Sequence, residues 1–381
     1  MQRRTVLKAL SAIILGVSLT LTGCGGGGGG DTIKVGSLES MTGSEATFGK
    51  STQEGIDMAI EEQNKAGGVL GKKIECVVAD DQSDNKLVRQ AVLKLIDQEK
   101  VCAILGEVAS GRTAAAAPDC QKSKIPLLSP SSTRNDVTDA GDYIFRSCFI
   151  DANQGQWMVD IAVDRLKVKK AALLVDVQNA YSLGLSKVIK EAFEKKGGTI
   201  VREENYSGQS KDFKTQLTNI RAADPEVVFL PGYYNEVVNM LPQARELGIK
   251  VPFIGGDAWD AEETIAIGKD AVNNCYFTNH YAHDDPDPKV QEFVKKYQAK
   301  FGRVPDGQAC TGYDAACILF DAIKRAGSTD PTKIRDALAA TKDFPAVTGK
   351  ITIDEHRNAK KPGVCIKIED GKMKMVGRVG E

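Results

Sequence analysis

Hydrophobic and polar positions alternate along this chain with two periods, one typical of short buried strands and the other of amphipathic helices. In the first part of the chain, apolar strand-like runs occur at 33–38, 74–79, 101–105 and 125–128. Helix patterns separate these runs, and the clearest lies over 84–99, where the apolar residues repeat on one face. This alternation predicts a parallel sheet covered by helices.

The same rhythm restarts after a break near 148–151. Strand-like runs now occur at 170–175, 199–204, 227–230 and 253–254. The helix patterns that follow them lie at 181–196, 211–222, 235–247 and 260–267. Two successive series of strand–helix units predict an α/β protein of two lobes, each with a doubly wound parallel sheet and helices on both faces.

From residue 275 onwards the pattern changes. A short strand leads into a polar, proline-containing linker at 280–288, and three helix patterns and three short strand-like runs complete the chain. We expect these helices to return to the first lobe and the tail to cross back to the second, so that three crossings form a hinge. The predicted lobes are 31–148 with 282–345, and 149–281 with 346–381.

The N-terminus has the pattern of a signal peptide, with basic residues before an apolar run that ends in LTGC. We assign 1–23 to the signal peptide and 24–30 to a lipidated Cys24 with a glycine tether, because this ending resembles a bacterial lipobox. A cleaved signal with an incidental cysteine is the alternative. The first interpretation predicts an extracytoplasmic lipoprotein with a lipid anchor to the membrane, in the periplasm or on the cell surface.

Charge and cysteine content narrow the class of protein. The 50 basic and 51 acidic side chains nearly balance and form no basic tail, which argues against a nucleic-acid partner. Beyond Cys24, the remaining cysteines could form disulfides or stay as buried thiols, since both fit an exported protein. Cys102 and Cys120 are the pair that can be argued for, because both should lie at the same end of one strand–helix unit.

Polar residues follow two strands that should be neighbours in the first sheet. Ser110 comes after the run at 101–105, and the segment SPSST at 129–133 comes after the run at 125–128. Ligands of parallel sheets bind beyond the carboxyl ends of the strands. Hydroxyl and backbone N–H groups there could hold a small carboxylate without a cationic side chain. Alternatively, Ser110 only caps the alanine-rich helix.

Eight fragments in chain order resemble a known family. They are IKVGSL with MTG, DDQSD, LGEVAS, IPLLSPSST, VDVQNAYSLG, PGYYNE, FIGGDAWD and GYDA. With these eight fragments in order behind a signal peptide, the chain resembles a type I periplasmic binding protein of ABC importers, in the Leu/Ile/Val-binding branch. The resemblance implies a monomer without a cofactor that captures a small amino acid, branched-chain or otherwise aliphatic, between two lobes. It also implies delivery of that ligand to a membrane permease.

The resemblance assigns four residues to the charged groups of an amino acid. The hydroxyl and N–H of Ser110 and the N–H of Thr133 would bind the α-carboxylate. The carbonyl of Ser131, the hydroxyl of Thr133 and the carboxylate of Asp257 would hold the α-ammonium. Both charges need partners, because removing one partner of a buried charge costs about 3–5 kcal/mol. Since Asp257 follows the run at 253–254, it should face the first lobe from the second sheet.

Three aromatic residues complete the implied site. Tyr181 and Tyr233 would close over the ligand from the second lobe, and Phe48 would shape the side-chain pocket from the first. Each also has a purely structural interpretation: Tyr181 as a surface aromatic, Tyr233 as a packing residue and Phe48 as a core residue. For Asp257 the structural alternative is a cap of the helix near 260. Gln308 falls about where family members often carry an aromatic or other apolar group, so the ligand side chain stays open.

Other functions find less support. The glycine-rich segment at 67–73 follows a helix rather than a strand, so it is not a nucleotide-binding loop, and no Gly-x-Ser-x-Gly motif is present. We expect His280 and His283 to be solvated in the polar linker rather than bound to a metal. We therefore expect no enzyme. A sensory receptor, or a binding protein for a small amide or an aromatic acid, remains as an alternative on the same fold.

Overall fold

The computed structural model describes residues 32–380. Its first sheet contains β1 (Thr32–Glu39), β2 (Lys73–Asp80), β3 (Ile104–Gly106), β4 (Leu127–Ser129) and β5 (Ile144–Arg146). The strands lie in the order β2-β1-β3-β4-β5, and every neighbouring pair is parallel. The carboxyl ends of β3 and β4 therefore lie side by side, as the sequence pattern predicted.

Helices cover both faces of this sheet, because successive strand residues point to opposite faces. Ile104 packs in the core beneath α2 (Asn85–Leu93) and α3 (Ser110–Ser123), whereas Leu105 packs in the core beneath α1 (Ala46–Lys65). The first sheet and the helices packed on it are called the N-terminal lobe below.

The second sheet contains seven strands in the order β15-β14-β10-β9-β8-β6-β7. They are β6 (Lys170–Asp176), β7 (Thr199–Tyr206), β8 (Val227–Phe229), β9 (Phe253–Gly255), β10 (Cys275–Asn279), β14 (Gly363–Glu369) and β15 (Lys372–Val379). Strands β6 to β10 are parallel, but β14 runs antiparallel to both of its neighbours. The tail thus adds a hairpin to an otherwise parallel sheet.

Helices again cover both faces of the second sheet. They are α4 (Asp151–Asp160), α5 (Ala180–Lys195), α6 (Lys214–Ala222), α7 (Tyr234–Glu246) and α8 (Glu262–Ala266). Leu173 in β6 packs with α4 and α5, and its neighbour Leu174 packs with α6 and α7. This sheet and its helices are called the C-terminal lobe below, and the predicted α/β fold with two helix-covered sheets is confirmed.

The segment after β10 returns to the N-terminal lobe. It contains α9 (Pro288–Phe301), α10 (Gly307–Ala326), α11 (Pro331–Ala339) and a small sheet of β11 (Phe344–Ala346), β12 (Gly349–Ile353) and β13 (Ala359–Lys360). Ile351 and Ala359 of this small sheet are buried in the same core as Ile318 of α10. The lobe boundary predicted between 345 and 346 is therefore wrong, because the apolar face of the small sheet keeps 346–360 with the N-terminal core.

Three connections join the lobes, at 147–150, 280–287 and 361–362. They pack against one another: the ring of His280 in the second connection stacks on Phe149 in the first, with centroids 3.9 Å apart. Lys361 in the third connection is buried and donates to Thr348 Oγ1 at 2.5 Å. The expectation of a solvated His280 is wrong, since its ring is enclosed by these connections and is 2% exposed.

The cysteines of the described segment are all free, so the disulfide alternative is wrong for Cys102 and Cys120. Cys102 packs in the core on one face of the first sheet, and Cys120 packs in the core on the other. The signal peptide and Cys24 lie outside the described residues. Within 32–380, none of the helices has the length and apolar character that a bilayer span requires.

Candidate ligand-binding site

All seven residues that the sequence predicted for the site line one cavity between the two lobes. The N-terminal wall of this cavity consists of Phe48, Val108, Ala109, Ser110, Ser131, Thr133 and Gln308. The C-terminal wall consists of Tyr181, Tyr233, Asp257 and Ala258. The cavity measures about 20 Å³, which is room for about one water molecule. The walls must therefore separate to admit an amino acid.

Hydrogen bonds between two turns shape the N-terminal wall. Ser129 Oγ donates to the carbonyl of Glu107 at 2.6 Å and accepts from Ser132 N at 3.0 Å. Ser132 Oγ also donates to Glu107 O, at 3.0 Å. Because the hydroxyls of 129 and 132 tie the turn after β4 to the turn after β3, the intervening Ser131 and the following Thr133 are presented to the cavity.

Ser110 is the first residue of α3 and does not act as its N-cap. Ala109 occupies the N-cap position and makes no side-chain capping bond. Ser110 Oγ instead accepts from Arg134 N at 3.2 Å. The capping alternative is therefore wrong, and Val108, Ala109 and Ser110, which lead into α3, line the cavity. A helix N-terminus favours an anion electrostatically and through its free N–H groups.

Among residues 32–380, no cationic side chain lines this cavity. Arg112, within the first turn of α3, is buried and forms ion pairs with Glu45 and with Glu107, the latter at 3.1 Å. Its charge is therefore compensated inside the N-terminal lobe. An anion in the cavity would rely on hydroxyls and backbone N–H groups.

Asp257 is the only charged residue among those that line the described cavity, and its exposed fraction is 3%. Its Oδ1 accepts from the hydroxyl of Tyr181 at 3.1 Å, and its Oδ2 lies 3.1 Å from His280 Nε2. Its backbone N–H donates to Gln154 Oε1 at 2.7 Å. Helix α8 has Ala261 as its N-cap, so the interpretation of Asp257 as a cap for that helix is wrong.

The groups around Asp257 make the C-terminal wall favourable for a cation. Burial lowers the pKa of His280 below its usual value; the hydrogen bond and charge of Asp257 oppose this shift, and the charge of Lys361 adds to it. His280 is thus neutral at pH 7 and donates through Nε2–H to a carboxylate, which can only accept. Burial raises the pKa of Asp151 to about 7, and the charge of Asp257 adds to this rise. The carboxylate of Asp257 is therefore the negative charge of this wall that an ammonium would compensate.

Three aromatic rings cover the cavity. The side chain of Asn179 caps α5 and accepts from Tyr181 N at 2.9 Å, which fixes Tyr181 at the start of that helix. The Tyr181 and Tyr233 rings lie 5.5 Å apart, and Phe48 meets Tyr233 edge to face at 5.6 Å. Tyr181 is 3% exposed, so it is not a surface aromatic. Phe48 belongs to a core cluster formed mostly by the C-terminal lobe, so it bridges the two walls.

Sequence reasoning missed two residues that hold Asp257. Gln154 lies in α4, and its Oε1 also accepts from Thr278 Oγ1 at 3.0 Å. His280 follows β10 in a segment whose polar, proline-containing composition suggested solvent exposure. The apolar strand directly before His280 was the only local signal of burial.

Comparison with known proteins agrees with this architecture. The family described as periplasmic binding protein matches residues 32–372. The Leucine-, isoleucine-, valine-, threonine-, and alanine-binding protein of Pseudomonas aeruginosa is 31% identical over 332 residues, which cover 87% of this chain and 88% of the relative.

Solved structures show the same fold. The leucine binding protein LivK of Thermotoga maritima superimposes with a TM-score of 0.87 at 35% identity, covering 91% of this chain and 98% of LivK. LivJ of Streptococcus pneumoniae, in complex with isoleucine, superimposes with a TM-score of 0.86 at 33% identity, and the match covers 91% of this chain and 99% of LivJ. A solute binding protein of Rhodopseudomonas palustris BisB5, in complex with 3,4-dihydroxybenzoic acid, superimposes with a TM-score of 0.83 at 28% identity. This match covers 92% of this chain and 97% of that protein.

The matched family, the relatives and the two-lobed fold lead to one assignment. The chain belongs to the periplasmic binding protein family, as an extracytoplasmic solute-binding protein of the ABC-transporter type with branched-chain amino-acid-binding homologues.

Proposed function

We propose that this protein captures a small amino acid between its two lobes and delivers it to the membrane permease of an ABC importer. The observation that carries the proposal is the opposition of the two walls. One wall offers hydroxyls and the start of α3, and the other offers the buried carboxylate of Asp257. A zwitterion fits this pair, because its carboxylate and its ammonium each find a partner on a different lobe.

The same arrangement explains how a ligand would drive closure. In the proposed complex, Ser110 and the N–H of Thr133 bind the carboxylate, while Ser131 O, Thr133 Oγ1 and Asp257 bind the ammonium. Tyr181, Tyr233 and Phe48 would then cover the remainder, as the sequence analysis predicted. Because only the closed form brings both walls to the ligand, binding shifts the equilibrium towards closure. The permease would then receive a closed, loaded monomer.

Thermal unfolding of the purified protein with each of the twenty amino acids tests the proposal. A ligand at 100 times its Kd stabilises the folded protein by about 2.7 kcal/mol, so a true ligand raises the Tm clearly. The matched controls are analogues of that ligand that lack either the ammonium or the carboxylate, and we expect neither to bind with similar affinity. A protein that responds to no amino acid contradicts the proposal.

An aromatic acid is the second candidate ligand, since a 28% identical neighbour was solved with 3,4-dihydroxybenzoic acid. A benzoate has no ammonium, so Asp257 would stay buried without a cationic partner. This mismatch ranks the aromatic acid below an amino acid. Benzoates in the same thermal assay decide between the two, and a Tm response to benzoates alone would favour the second candidate.

We also propose that a lipid on Cys24 anchors the protein to the membrane, with the glycines at 25–30 as a tether. Cys24→Ser should move the protein from the membrane fraction to the soluble fraction or stop its processing. Cys76→Ser, a change at a half-buried free thiol in the folded part, serves as the matched control. Unchanged membrane fractionation of Cys24→Ser would contradict the anchor.

A sensory role would use the same binding site without delivery to a permease. Uptake of the radiolabelled ligand by cells with and without the gene distinguishes the two roles. Import predicts loss of high-affinity uptake when the gene is deleted. Unchanged uptake would favour sensing.

A further inference from the structure

Two side chains that line the cavity each have a buried polar atom without a hydrogen-bond partner among residues 32–380, the Oγ1 of Thr133 and the Oε1 of Gln308, and only Gln308 is left unused by the proposed complex. Gln308 stands in the first turn of α10, is 3% exposed and lines the cavity. Its Oε1 is fully buried, and within residues 32–380 it has no hydrogen-bond partner. A buried acceptor without a partner is costly, and such groups in native proteins call for an explanation.

The polar residues around Gln308 are already engaged with one another. Ser131 Oγ and Thr311 Oγ1 form a hydrogen bond of 2.8 Å, and Thr311 Oγ1 also lies 3.2 Å from the backbone carbonyl of Gln308. Asp260 Oδ2 accepts from Gly307 N at 2.7 Å. These neighbours complete their bonds within the protein, whereas the side-chain carbonyl of Gln308, a residue that lines the cavity, has no partner among residues 32–380.

The assignment of the ligand's charged groups leaves Gln308 for the ligand side chain. Under the proposed function, the carboxylate belongs to Ser110 and Thr133, and the ammonium belongs to Asp257 with Ser131 and Thr133. Gln308 shares the remaining cavity surface with apolar groups such as Phe48 and Ala258. In this arrangement, a ligand atom that pairs with Gln308 lies in the ligand side chain, beyond the α-carbon.

We propose that Gln308 is a specificity-determining residue that selects a small amino acid with a hydroxyl or amide in its side chain. This inference rests on the proposed function and names the class of amino acid. A ligand hydroxyl or amide N–H would donate to the Gln308 carbonyl, and rotation of the side-chain amide would also offer a donor to a ligand carbonyl. An aliphatic ligand of the same shape would leave that acceptor buried and unpaired.

The size of the expected effect follows from this asymmetry. Sites that hydrogen-bond a polar ligand group reject the isosteric apolar analogue strongly, because the buried partner in the protein is then left unpaired. We expect the wild-type protein to bind threonine at least about tenfold more tightly than its isostere valine. Asparagine and leucine form a second pair of similar shape, with the same expected direction.

Isothermal titration calorimetry with these two pairs tests the inference in the wild-type protein and in Gln308→Met. Methionine keeps the approximate length of glutamine and removes its hydrogen-bonding groups. We expect the threonine preference to disappear or to reverse in Gln308→Met. Thermal unfolding without ligand verifies that the variant is folded, and Gln308→Leu serves as a second apolar variant if it is not.

The outcomes separate this inference from the function on which it rests. A wild-type protein that binds valine as tightly as threonine and leucine as tightly as asparagine overturns the role of Gln308, yet leaves amino-acid capture intact. A threonine preference that persists unchanged in Gln308→Met overturns it as well. A protein that binds no amino acid at all overturns both, whereas a preference that depends on Gln308 supports both.

Discussion

The two walls of the cavity are held in place in different ways. In the N-terminal wall, Ser129 and Ser132 bond to the backbone of Glu107, and the hydroxyl residues Ser110, Ser131 and Thr133 line the cavity. In the C-terminal wall, one carboxylate is held by side chains from distant elements, among them Tyr181 and His280. The first wall spreads its interactions over many atoms, whereas the second concentrates them on Asp257.

The largest effect is therefore expected at Asp257. Asp257→Asn keeps the shape of the side chain and removes its charge, which leaves the ligand ammonium without a counter-ion. Removing one partner of a buried ion pair costs about 3–5 kcal/mol, so we expect affinity for the amino acid to fall by about 100-fold or more. Titration calorimetry measures the change.

Asp97→Asn, at an exposed position in the N-terminal lobe, provides the matched control for the loss of one negative charge. Its affinity should equal that of the wild-type protein. If Asp257→Asn binds within threefold of the wild-type affinity, the C-terminal wall does not depend on this carboxylate.

A smaller effect is expected from Ser110→Ala in the N-terminal wall. The variant loses one hydroxyl donor to the carboxylate, but the backbone N–H groups of the two turns remain. A hydrogen bond to a charged group contributes about 1.5–3 kcal/mol, and the remaining donors compensate in part, so we expect a loss of about tenfold. The control is Ser123→Ala, an exposed serine at the other end of α3. A loss as large as that of Asp257→Asn would erase the difference between the walls.

The same contrast explains which parts of the site the sequence could predict. Ser110, Ser131 and Thr133 follow strands within a few residues, and the order of parallel strands brings such turns together. Asp257 could be placed for the same reason. His280 could not, because its burial depends on packing with Phe149 and Asp257, which come from other elements.

The fold shows a similar division. Alternating strand and helix patterns predicted two helix-covered sheets, because each unit carries its own apolar period. The boundary at 345 was misplaced because the short strands at 344–360 are alike in composition to the rest of the tail. Only their packing on Ile318 and its neighbours in the N-terminal core assigns them to that lobe.

A still smaller effect is expected from the groups that position Asp257. Tyr181→Phe removes the hydroxyl that donates to Asp257 Oδ1 at 3.1 Å and keeps the ring that covers the cavity. A hydrogen bond of this kind contributes about 1 kcal/mol, so we expect about fivefold weaker binding.

Tyr206→Phe is the matched control in the same lobe, because the Tyr206 hydroxyl is buried and lacks a hydrogen-bond partner among residues 32–380. This control should bind as the wild type does. Equal losses in both variants would show a general effect of phenolic hydroxyls on the lobe rather than the positioning of Asp257.

The smallest effect concerns pH and His280. Burial and the Lys361 charge lower the pKa of His280, so its neutral form is stable at pH 7 and it takes up a proton only as the pH falls through this lowered pKa. Since the pKa is lower in the folded than in the unfolded protein, its contribution to stability is complete above the unfolded pKa and is lost on acidification. The imidazolium would also compensate Asp257 and thereby compete with the ligand ammonium.

We therefore expect wild-type affinity to fall about two- to threefold between pH 6 and pH 5, and His280→Gln to remove this dependence while it keeps a donor towards Asp257. Asp151, whose pKa is raised to about 7, is largely protonated throughout this range and so contributes little to the change. Calorimetry at both pH values gives the ratio for each protein. A His280→Gln variant with the same dependence as the wild type would assign the change to a group other than His280, and a wild-type affinity that is independent of pH would show that His280 stays neutral down to pH 5 and keeps donating to Asp257.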